Sequence, residues 1–537
     1  MTQLTGTLPG TLPLLAGVPL LLGALCAALR TQRMLRHIIS FTTLAAILCY
    51  GLLLVAVTSD GTVLAHQVGL WDYGVAIPFV VDAFSALMLS FVAVLGIASV
   101  LFAAATHEAR ARFYHPFVLF LFGGISGALM TGDIFNLFVF IEVMLLPSYG
   151  LMAMMGAKLG AHGARIFVTV NLMASTLLLS GVGLVYATAG TVNLAQLQGA
   201  ASEDPAVAVA AGVVLSAIAI KAAVVPAHGW LTRTYPMTSP AVTALFSGVH
   251  TKVALYAIYR IYSVVFDGDS RFLWVLLGIA ALTMVIGVLG ALGETTGRSI
   301  LVFHMISHVG YIMIGVGLFT LFGLTAAIFY LLHHMIVKAS LFLSVGALEE
   351  TYGTSELQRL GGMMRREPFV AAVFMIGALS LVGLPPFSGF VAKFTLIGAT
   401  IDAGHLWLAV VAVVVSVLSM AAMMLIWTRV FMGPEPEGLE ERALTYQTAI
   451  HGKRYLRVEA QAEEPSLDIG PPTRATMRVL SGERPVRVAP KLILPAALLA
   501  AVTLSLGLGA EVLFDVAGTA AENLLNLEGY VDAVEGA

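Results

Sequence analysis

Apolar residues fill this chain in long stretches, interrupted at short intervals by polar or charged positions. A stretch near twenty apolar residues is long enough to cross a bilayer as a helix. Such spans lie near 10–29, 38–58, 77–106, 115–132, 134–155, 165–189, 206–231, 240–265, 272–293, 300–319, 324–347, 370–398, 404–431 and 489–511. The pattern predicts an all-α polytopic membrane protein with about fourteen transmembrane helices. Positive residues follow alternate spans. Arg30, Arg33 and Arg36 follow the first, Arg110 and Arg112 the third, and Lys158 and Arg165 the fifth. Arg298 follows the ninth, and Arg359, Arg365 and Arg366 the eleventh. The intervening loops lean acidic, with Asp60, Asp72, Glu203, Asp204, Asp267 and Asp269. The positive-inside rule places the first set of loops in the cytoplasm and both termini outside it. No basic residue precedes the first apolar run and three arginines follow it, the reverse of a secretory signal, so a retained helix is expected.

Two spans are interrupted. The seventh carries Pro226 and Gly229, and the twelfth carries Gly383, Pro385, Pro386 and Gly389. Proline removes a backbone donor and clashes with the preceding turn, so both helices should break. Broken helices at membrane depth are tolerated only against protein or a wet cavity. The two lie five spans apart and so run in opposite directions. This suggests two inverted five-helix repeats, each with a Pro/Gly-broken helix at the ion path. A plain kink in a packed helix is the alternative reading. The expected divisions are 1–114 for helices one to three, 115–265 for the first repeat (helices four to eight) and 266–431 for the second (helices nine to thirteen). Residues 432–488, rich in Glu, Arg and Pro, read as a cytoplasmic linker with room for a surface helix, and 489–537 as a last helix and an acidic external tail.

Charged residues make up 11% of the chain, against about 25% in soluble domains. The few that fall inside apolar runs therefore stand out. Each costs roughly 2.5–3.5 kcal/mol to insert at mid-membrane depth, which makes it a functional candidate by default. Glu142 lies in FNLFVFIEVMLLPSYGLM with nothing polar near it in sequence to satisfy it. Lys221, in the broken seventh span, is its candidate partner. A contact that opens and closes would load and release a proton, whereas a static ion pair would only fix packing. Lys252 follows His250 in the eighth span. His304 and His308 share a face at i, i+4, as do His334 and Lys338, with His333 beside them. Histidine suits a proton relay because it titrates near neutrality. Core histidines are also often only hydrogen-bonded structural groups, and His304 lies close to a helix end. Lys393 follows the break in the twelfth span. Asp82 and Asp133, near external helix ends, read as caps or anchors.

Other chemistries are disfavoured. The two cysteines, Cys26 and Cys49, cannot build a four-ligand metal or iron–sulfur site. The histidine set has no thiol or carboxylate near it, so a metal site is not expected, and no cofactor is expected either. No phosphate-cradling GxxxxGK[ST] loop is present. Lysine runs that would suit nucleic acid are absent as well.

The segments TGDIFNLFVFIEVMLLPSY (131–149), KAAVVPAHGWL (221–231), SPAVTALFSGVHTKVALYAIYR (239–260), HMISHVGYIMIG (304–315), LLHHMIVKASLFLSVGAL (331–348) and GLPPFSGFVAKF (383–394) together resemble one family. It is the antiporter-like family shared by respiratory complex I and the Mrp-type multisubunit Na+/H+ antiporters, and within it the chain looks most like the Mrp D type. The resemblance spans roughly 77–431. It implies fourteen helices, inverted repeats, a Glu–Lys pair, a central Lys/His chain and a terminal Lys or Glu. Position by position, Glu142, Lys221, Lys252, His334, Lys338 and Lys393 match, with His250, His308 and His333 as secondary members. Lys393 departs from complex I members that have glutamate there, and SPAVTALFSG departs from a more proline-rich form. The implied function is proton translocation in a monovalent cation/proton antiporter of a bacterial cell membrane, beside an A subunit and small membrane subunits. The alternative is a proton-pumping subunit of a complex I-type quinone oxidoreductase or a membrane-bound hydrogenase.

Overall fold

The computed structural model describes residues 8–29, 31–71, 73–106, 108–154, 158–460 and 485–537. Arg30, Asp72 and linker residues 461–484 lie outside the described residues. The chain is a polytopic helical membrane protein. Its helices in order are α1 (Leu12–Ala28), α2 (Arg33–Thr58), α3 (Ala83–Thr106), α4 (Tyr114–Met130), α5 (Ile134–Ala153), α6 (Lys158–Ala189), α7 (Pro205–Lys221), α8 (Gly229–Thr234), α9 (Pro240–Phe266) and α10 (Leu273–Gly293). There follow α11 (Gly297–Leu318), α12 (Leu321–Tyr352), α13 (Pro368–Val382), α14 (Ser388–Asp402), α15 (Leu406–Ile426), α16 (Leu439–Ala460), α17 (Pro490–Leu508), α18 (Ala510–Leu525) and α19 (Glu528–Glu535). Among the described residues, eleven helices are long and apolar enough to cross a membrane, or twelve if the bent pair Ala195–Glu203 and Pro205–Lys221 is one span. α4 and α13 are shorter apolar helices.

Burial divides these helices into two classes. The most apolar windows of α9 and α12 are wholly buried and that of α11 is 94% buried, whereas those of α1, α2 and α10 are 33% buried. A helix apolar all round and enclosed by others is shielded from lipid, so it can carry groups that lipid would reject. α9, α11 and α12 are the helices that hold His250, Lys252, His304, His308, His333, His334 and Lys338.

Both interrupted spans break. α7 stops at Lys221, Ala223 takes a positive φ of 59°, and helix resumes at Gly229. The freed backbone is repaired from outside: Trp230 Nε1 donates to Ile220 O at 2.9 Å, and Val225 N donates to Thr283 Oγ1 at 3.2 Å. α13 stops at Val382, Gly383 turns with φ 93°, and α14 starts at Ser388. Gly389 lets the two halves pass closely, since a Cβ there would collide with Ser380 O.

The loops gather at two rims. At one, Arg298 reaches Pro236 O (3.1 Å), Thr238 O and Glu349 (2.7 Å), Arg36 Nη1 reaches Arg112 O (2.6 Å), and α16 docks through Gln447 Nε2 on Glu350 O (2.9 Å) and Thr351 O (2.8 Å). At the other, Gly132 N reaches Pro78 O (2.8 Å), Gly199 N reaches Val264 O (3.0 Å), and Ser263 Oγ donates to Leu524 O.

Two features differ from the sequence expectation and a third adds to it. The span expected from 77 begins as a strand. β1 (Leu64–Gln67) pairs antiparallel with β2 (Pro78–Val81), so the chain is not purely α. A fully buried strand running into a helix is one continuous apolar run, and periodicity cannot divide it. α6 starts at 158, seven residues before the expected span at 165. The acidic tail forms two helices folded back on the bundle: Gln67 Nε2 donates to Val534 O at 2.8 Å, and Asn523 Nδ2 to Gly61 O at 3.1 Å.

Candidate functional site

The site starts at the end of α7. Lys221, its last residue, is buried, and its Nζ lies 3.7 Å from Glu142 Oε1 on α5. Ser175 of α6 bridges them: Lys221 Nζ donates to Ser175 Oγ at 2.7 Å, and Ser175 Oγ donates to Glu142 Oε1. Lys221 also reaches Asn171 O at 3.4 Å. The C-terminal end of a helix carries partial negative charge, so an ammonium is stabilised there. The carboxylate and the helix end together offset part of the desolvation cost of the lysine.

Beside Lys221 lies a cavity of about 10 Å³, lined by Lys221, Asn171, Phe167, Trp230 and His250. That is about the size for one water molecule. His250 Nε2 and Ser148 Oγ are 2.8 Å apart, and the imidazole edge meets the Phe246 ring at 4.3 Å. Two residues on, Lys252 turns to another face of α9. It is fully buried and donates to Ser247 O (2.8 Å) and Thr251 Oγ1 (3.1 Å).

A second group begins there. His334 on α12 lies within electrostatic reach of both Lys252 and Lys338. Lys338 Nζ donates to Leu301 O at 3.0 Å. His304, His308 and His334 form a stack, with centroids 4.5 Å apart for the first pair and 4.8 Å for the second. His304, seven residues past the start of α11 at Gly297, is fully buried. His308 Nδ1 and Tyr330 Oη are 2.6 Å apart, and Tyr330 stacks on Tyr311 at 5.3 Å. Lys393 Nζ sits 5.6 Å over the Tyr311 ring and donates to Val382 O and Ser416 Oγ, both at 2.9 Å. Val382 ends α13, so Lys393 also meets a half-helix terminus. His333 Nδ1 lies 2.8 Å from Ser388 Oγ at the start of α14.

Among the described residues, both ring nitrogens of His334 and Nε2 of His308 have no hydrogen-bond partner. A buried polar atom left so costs about 1–3 kcal/mol. Among the described residues, no three His, Cys, Asp or Glu side chains cluster as metal ligands do.

Asp133 caps α5 by accepting from Asn136 N at 2.7 Å, as expected. Asp82 does more than cap. It accepts from Ser85 N at 2.9 Å and pairs with Arg260 at 2.5 Å, both partners buried. Arg260, absent from the candidates above, meets the same criterion as the lysines, since it lies within the apolar run of α9. Sequence reasoning also misses Ser148, Asn171, Ser175, Tyr311, Tyr330, Ser388 and Ser416, which link the charged groups.

Residues 131–419 match the family of NADH:quinone oxidoreductase/Mrp antiporter transmembrane proteins. The chain is 33% identical over 529 residues to the D subunit of the Na(+)/H(+) antiporter of Alkalihalophilus pseudofirmus, covering 97% of this chain and 98% of that protein. It is 32% identical over 530 residues to the protein of the same name in Bacillus subtilis, with the same coverages. In structure it is similar to a chain of the Mrp complex from Dietzia sp., with a TM-score of 0.89, 49% identity, and 99% and 100% of the two chains covered. Its fold also matches, at a TM-score of 0.77 and 24% identity, a chain of an archaeal membrane-bound sulfane sulfur reductase, covering 99% of this chain and all of that one. With its motifs matched and nearly its whole length aligned, the chain belongs to the D-subunit family of the Mrp-type multisubunit Na+/H+ antiporters.

Proposed function

We propose that this monovalent cation/proton antiporter subunit is the one that carries protons, driven by the proton motive force. In this reading a proton passes along Glu142, Lys221, Lys252, the His334/Lys338 face and Lys393, with His250, His308 and His333 as secondary carriers. The observation that carries the proposal is the Glu142–Ser175–Lys221 bridge at a helix break, where a carboxylate and a lysine share a hydroxyl. Opening that contact takes a stabilising charge away from the lysine and favours release of its proton. Closing it reloads the lysine. The small cavity beside Lys221 suits a single water that hands the proton toward His250. Lysine and histidine do not ligate Na+ when charged, and a Na+ site wants oxygen donors, so the cation is assigned to another subunit.

The proposed frame is fourteen crossings, with inverted repeats at 115–265 and 266–431 and both termini external in a bacterial plasma membrane. Supporting it, the eleven long helices are joined by α4, by the broken α7/α8 pair and by the broken α13/α14 pair. The two rims of loops also alternate along the chain as successive crossings require. The proposed partners are the A subunit and small membrane subunits. The complex I or hydrogenase reading has less support, because complex I chains share the fold at 21–24% identity whereas the Mrp complex chain is 49% identical.

The test is purification in mild detergent with identification of the co-purifying subunits, followed by dye-quenching assays in vesicles. Antiporter subunits and a Na+-driven release of the proton gradient are expected. Co-purification with quinone or hydrogenase subunits, or no cation response, would sink the assignment.

A further inference from the structure

We propose that the groove between α7, α9 and α10 is a binding site for one acyl chain of a zwitterionic phospholipid, with the headgroup at Arg271 and Asp204. The groove encloses a cavity of about 720 Å³, within the range of roughly 300–1,000 Å³ usual for small-ligand sites. Pro205 and Phe272 line one end, and the break residues Val224, Val225, Pro226 and Ala227 line the other. Val209 and Pro226 are exposed at its edge, so it opens sideways onto the surface that faces the bilayer. The walls between are aliphatic. Ser216 Oγ is spent on Gly212 O of its own helix at 2.8 Å, and Tyr262 Oη donates to Asp269 O at 2.5 Å. Such walls offer water little and hydrocarbon much.

Size selects an acyl chain over a helix of another subunit. From Pro205 to Ile220, α7 runs about 22 Å at 1.5 Å per residue. Over that length 720 Å³ leaves a mean cross-section of roughly 30 Å². A helix, about 10–12 Å across with its side chains, needs roughly 80 Å² or more. Charge selects the headgroup. Arg271 is half exposed at the mouth, where it pairs with Asp269 (2.6 Å) and donates to Ala201 O and Ser202 O (3.2 Å each). Glu203 and Asp204 follow, both exposed. A phosphate beside Arg271 and an ammonium beside the carboxylates satisfy both signs, whereas a net negative headgroup meets the acidic excess. Phe266 and Phe272, with ring centroids 5.9 Å apart, stand at the same end, as aromatic rings do where hydrocarbon meets headgroups. At the deep end the chain packs on the break that follows Lys221, which α10 holds through Thr283 Oγ1. The inference does not depend on the proton route.

The test uses the purified complex in nanodiscs doped with a phospholipid that carries a photoreactive diazirine in its acyl chain, with the crosslinked peptides mapped by mass spectrometry. In wild type the label should concentrate on α7 and α10, several-fold above the exposed face of α15 at Val410, Val413 and Val417. It should be several-fold stronger with a phosphatidylethanolamine probe than with a phosphatidylglycerol probe. Gly212 lines the groove, and a Cβ there would meet nothing within 4 Å, so a larger side chain starts in open space. Gly212→Phe should lower the groove label to the level of α15, and Gly212→Ala should keep it. Ser216→Phe, one turn on, repeats the test should Gly212→Phe fail to assemble. Label shared equally by the groove and α15 means annular lipid only and overturns the site, as does undiminished label in the phenylalanine variants. A wild-type groove without label would belong to another subunit and overturn the lipid. Equal labelling by the two probes overturns the headgroup assignment.

Discussion

Lys221 and Lys393 both sit at breaks in helices, Lys221 as the last residue of α7 and Lys393 with its ammonium on Val382 O at the end of α13, yet their neighbours differ in charge. Lys221 has a carboxylate 3.7 Å away, with Ser175 bridging the two. Lys393 has no carboxylate among the described ion pairs; it is held by Val382 O, Ser416 Oγ and the face of Tyr311. Lys221 is buried whereas Glu142 is 23% exposed, so the pair is most sensitive to loss of the carboxylate, which leaves a buried uncompensated charge at a cost of up to about 3–5 kcal/mol. A lysine held only by neutral dipoles has no such partner to lose. In the proposed mechanism the first break can therefore be switched by a carboxylate, whereas the titratable groups within electrostatic reach of Lys393 are the bases His304, His308, His333 and Lys338.

The largest expected effects come from removing either ammonium. Lys221→Ala should reduce antiport to the background of vesicles lacking the complex, with assembly largely intact. Normal dye-quenching by a well-expressed Lys221→Ala complex would remove this residue from the route. Lys393→Ala should be as severe, and Lys393→Glu should spare part of the activity because a titratable group remains. If the ammonium is merely an anchor at the membrane surface, Lys393→Arg would be nearly neutral and Lys393→Ala mild. Comparing Ala, Arg and Glu at matched expression separates the two accounts.

Next in size is the partner itself. Glu142→Gln should lower antiport about tenfold or more, equivalent to roughly 1.4 kcal/mol in the limiting barrier. Glu142→Asp should retain part of the activity, since the charge survives at a longer reach. A fully active Glu142→Gln complex would show that the first break, like the second, works without a carboxylate, and the contrast between them would collapse.

The difference in partners was half legible in the sequence. Lysines and a glutamate inside apolar runs are visible because lipid makes them costly, and the proline-marked breaks are visible because proline cannot continue a helix. The pairing of Glu142 with Lys221 follows from the same scarcity, as few other charges are available. Serines are a different matter. Ser90, Thr325 and Thr400 bond the carbonyl four residues back in their own helices. That is the ordinary state of a hydroxyl in a helix. Nothing in the pattern sets Ser175 or Ser416 apart from them, because their role depends on which helix packs alongside. The strand 78–81 was hidden for a related reason: burial on all sides erases periodicity. Arg260 was legible and pairs with Asp82, but nothing near it in sequence marks that partner.

The smallest expected effects fall on those two serines, and they sharpen the comparison most. Ser175→Ala removes the bridge but leaves Glu142 and Lys221 within 3.7 Å. Ser416→Ala removes one of two hydrogen bonds on Lys393 and leaves Val382 O in place. Losing one such bond to a charged group costs about 1.5–3 kcal/mol at most, and less where a second partner remains. Each variant should therefore keep measurable antiport, reduced several-fold for Ser175→Ala and less for Ser416→Ala. Combining them with Glu142→Gln tells the two sites apart. If Ser175 works through the carboxylate, Ser175→Ala should add little to Glu142→Gln, because the bridge has already lost its charged end. Ser416→Ala should add its full effect, since distant sites with no shared partner combine independently. The measurement is a double-mutant cycle on vesicle antiport at matched expression. Full additivity of Ser175→Ala with Glu142→Gln would mean that the hydroxyl serves Lys221 alone, and that the first break is held by dipoles in the same way as the second.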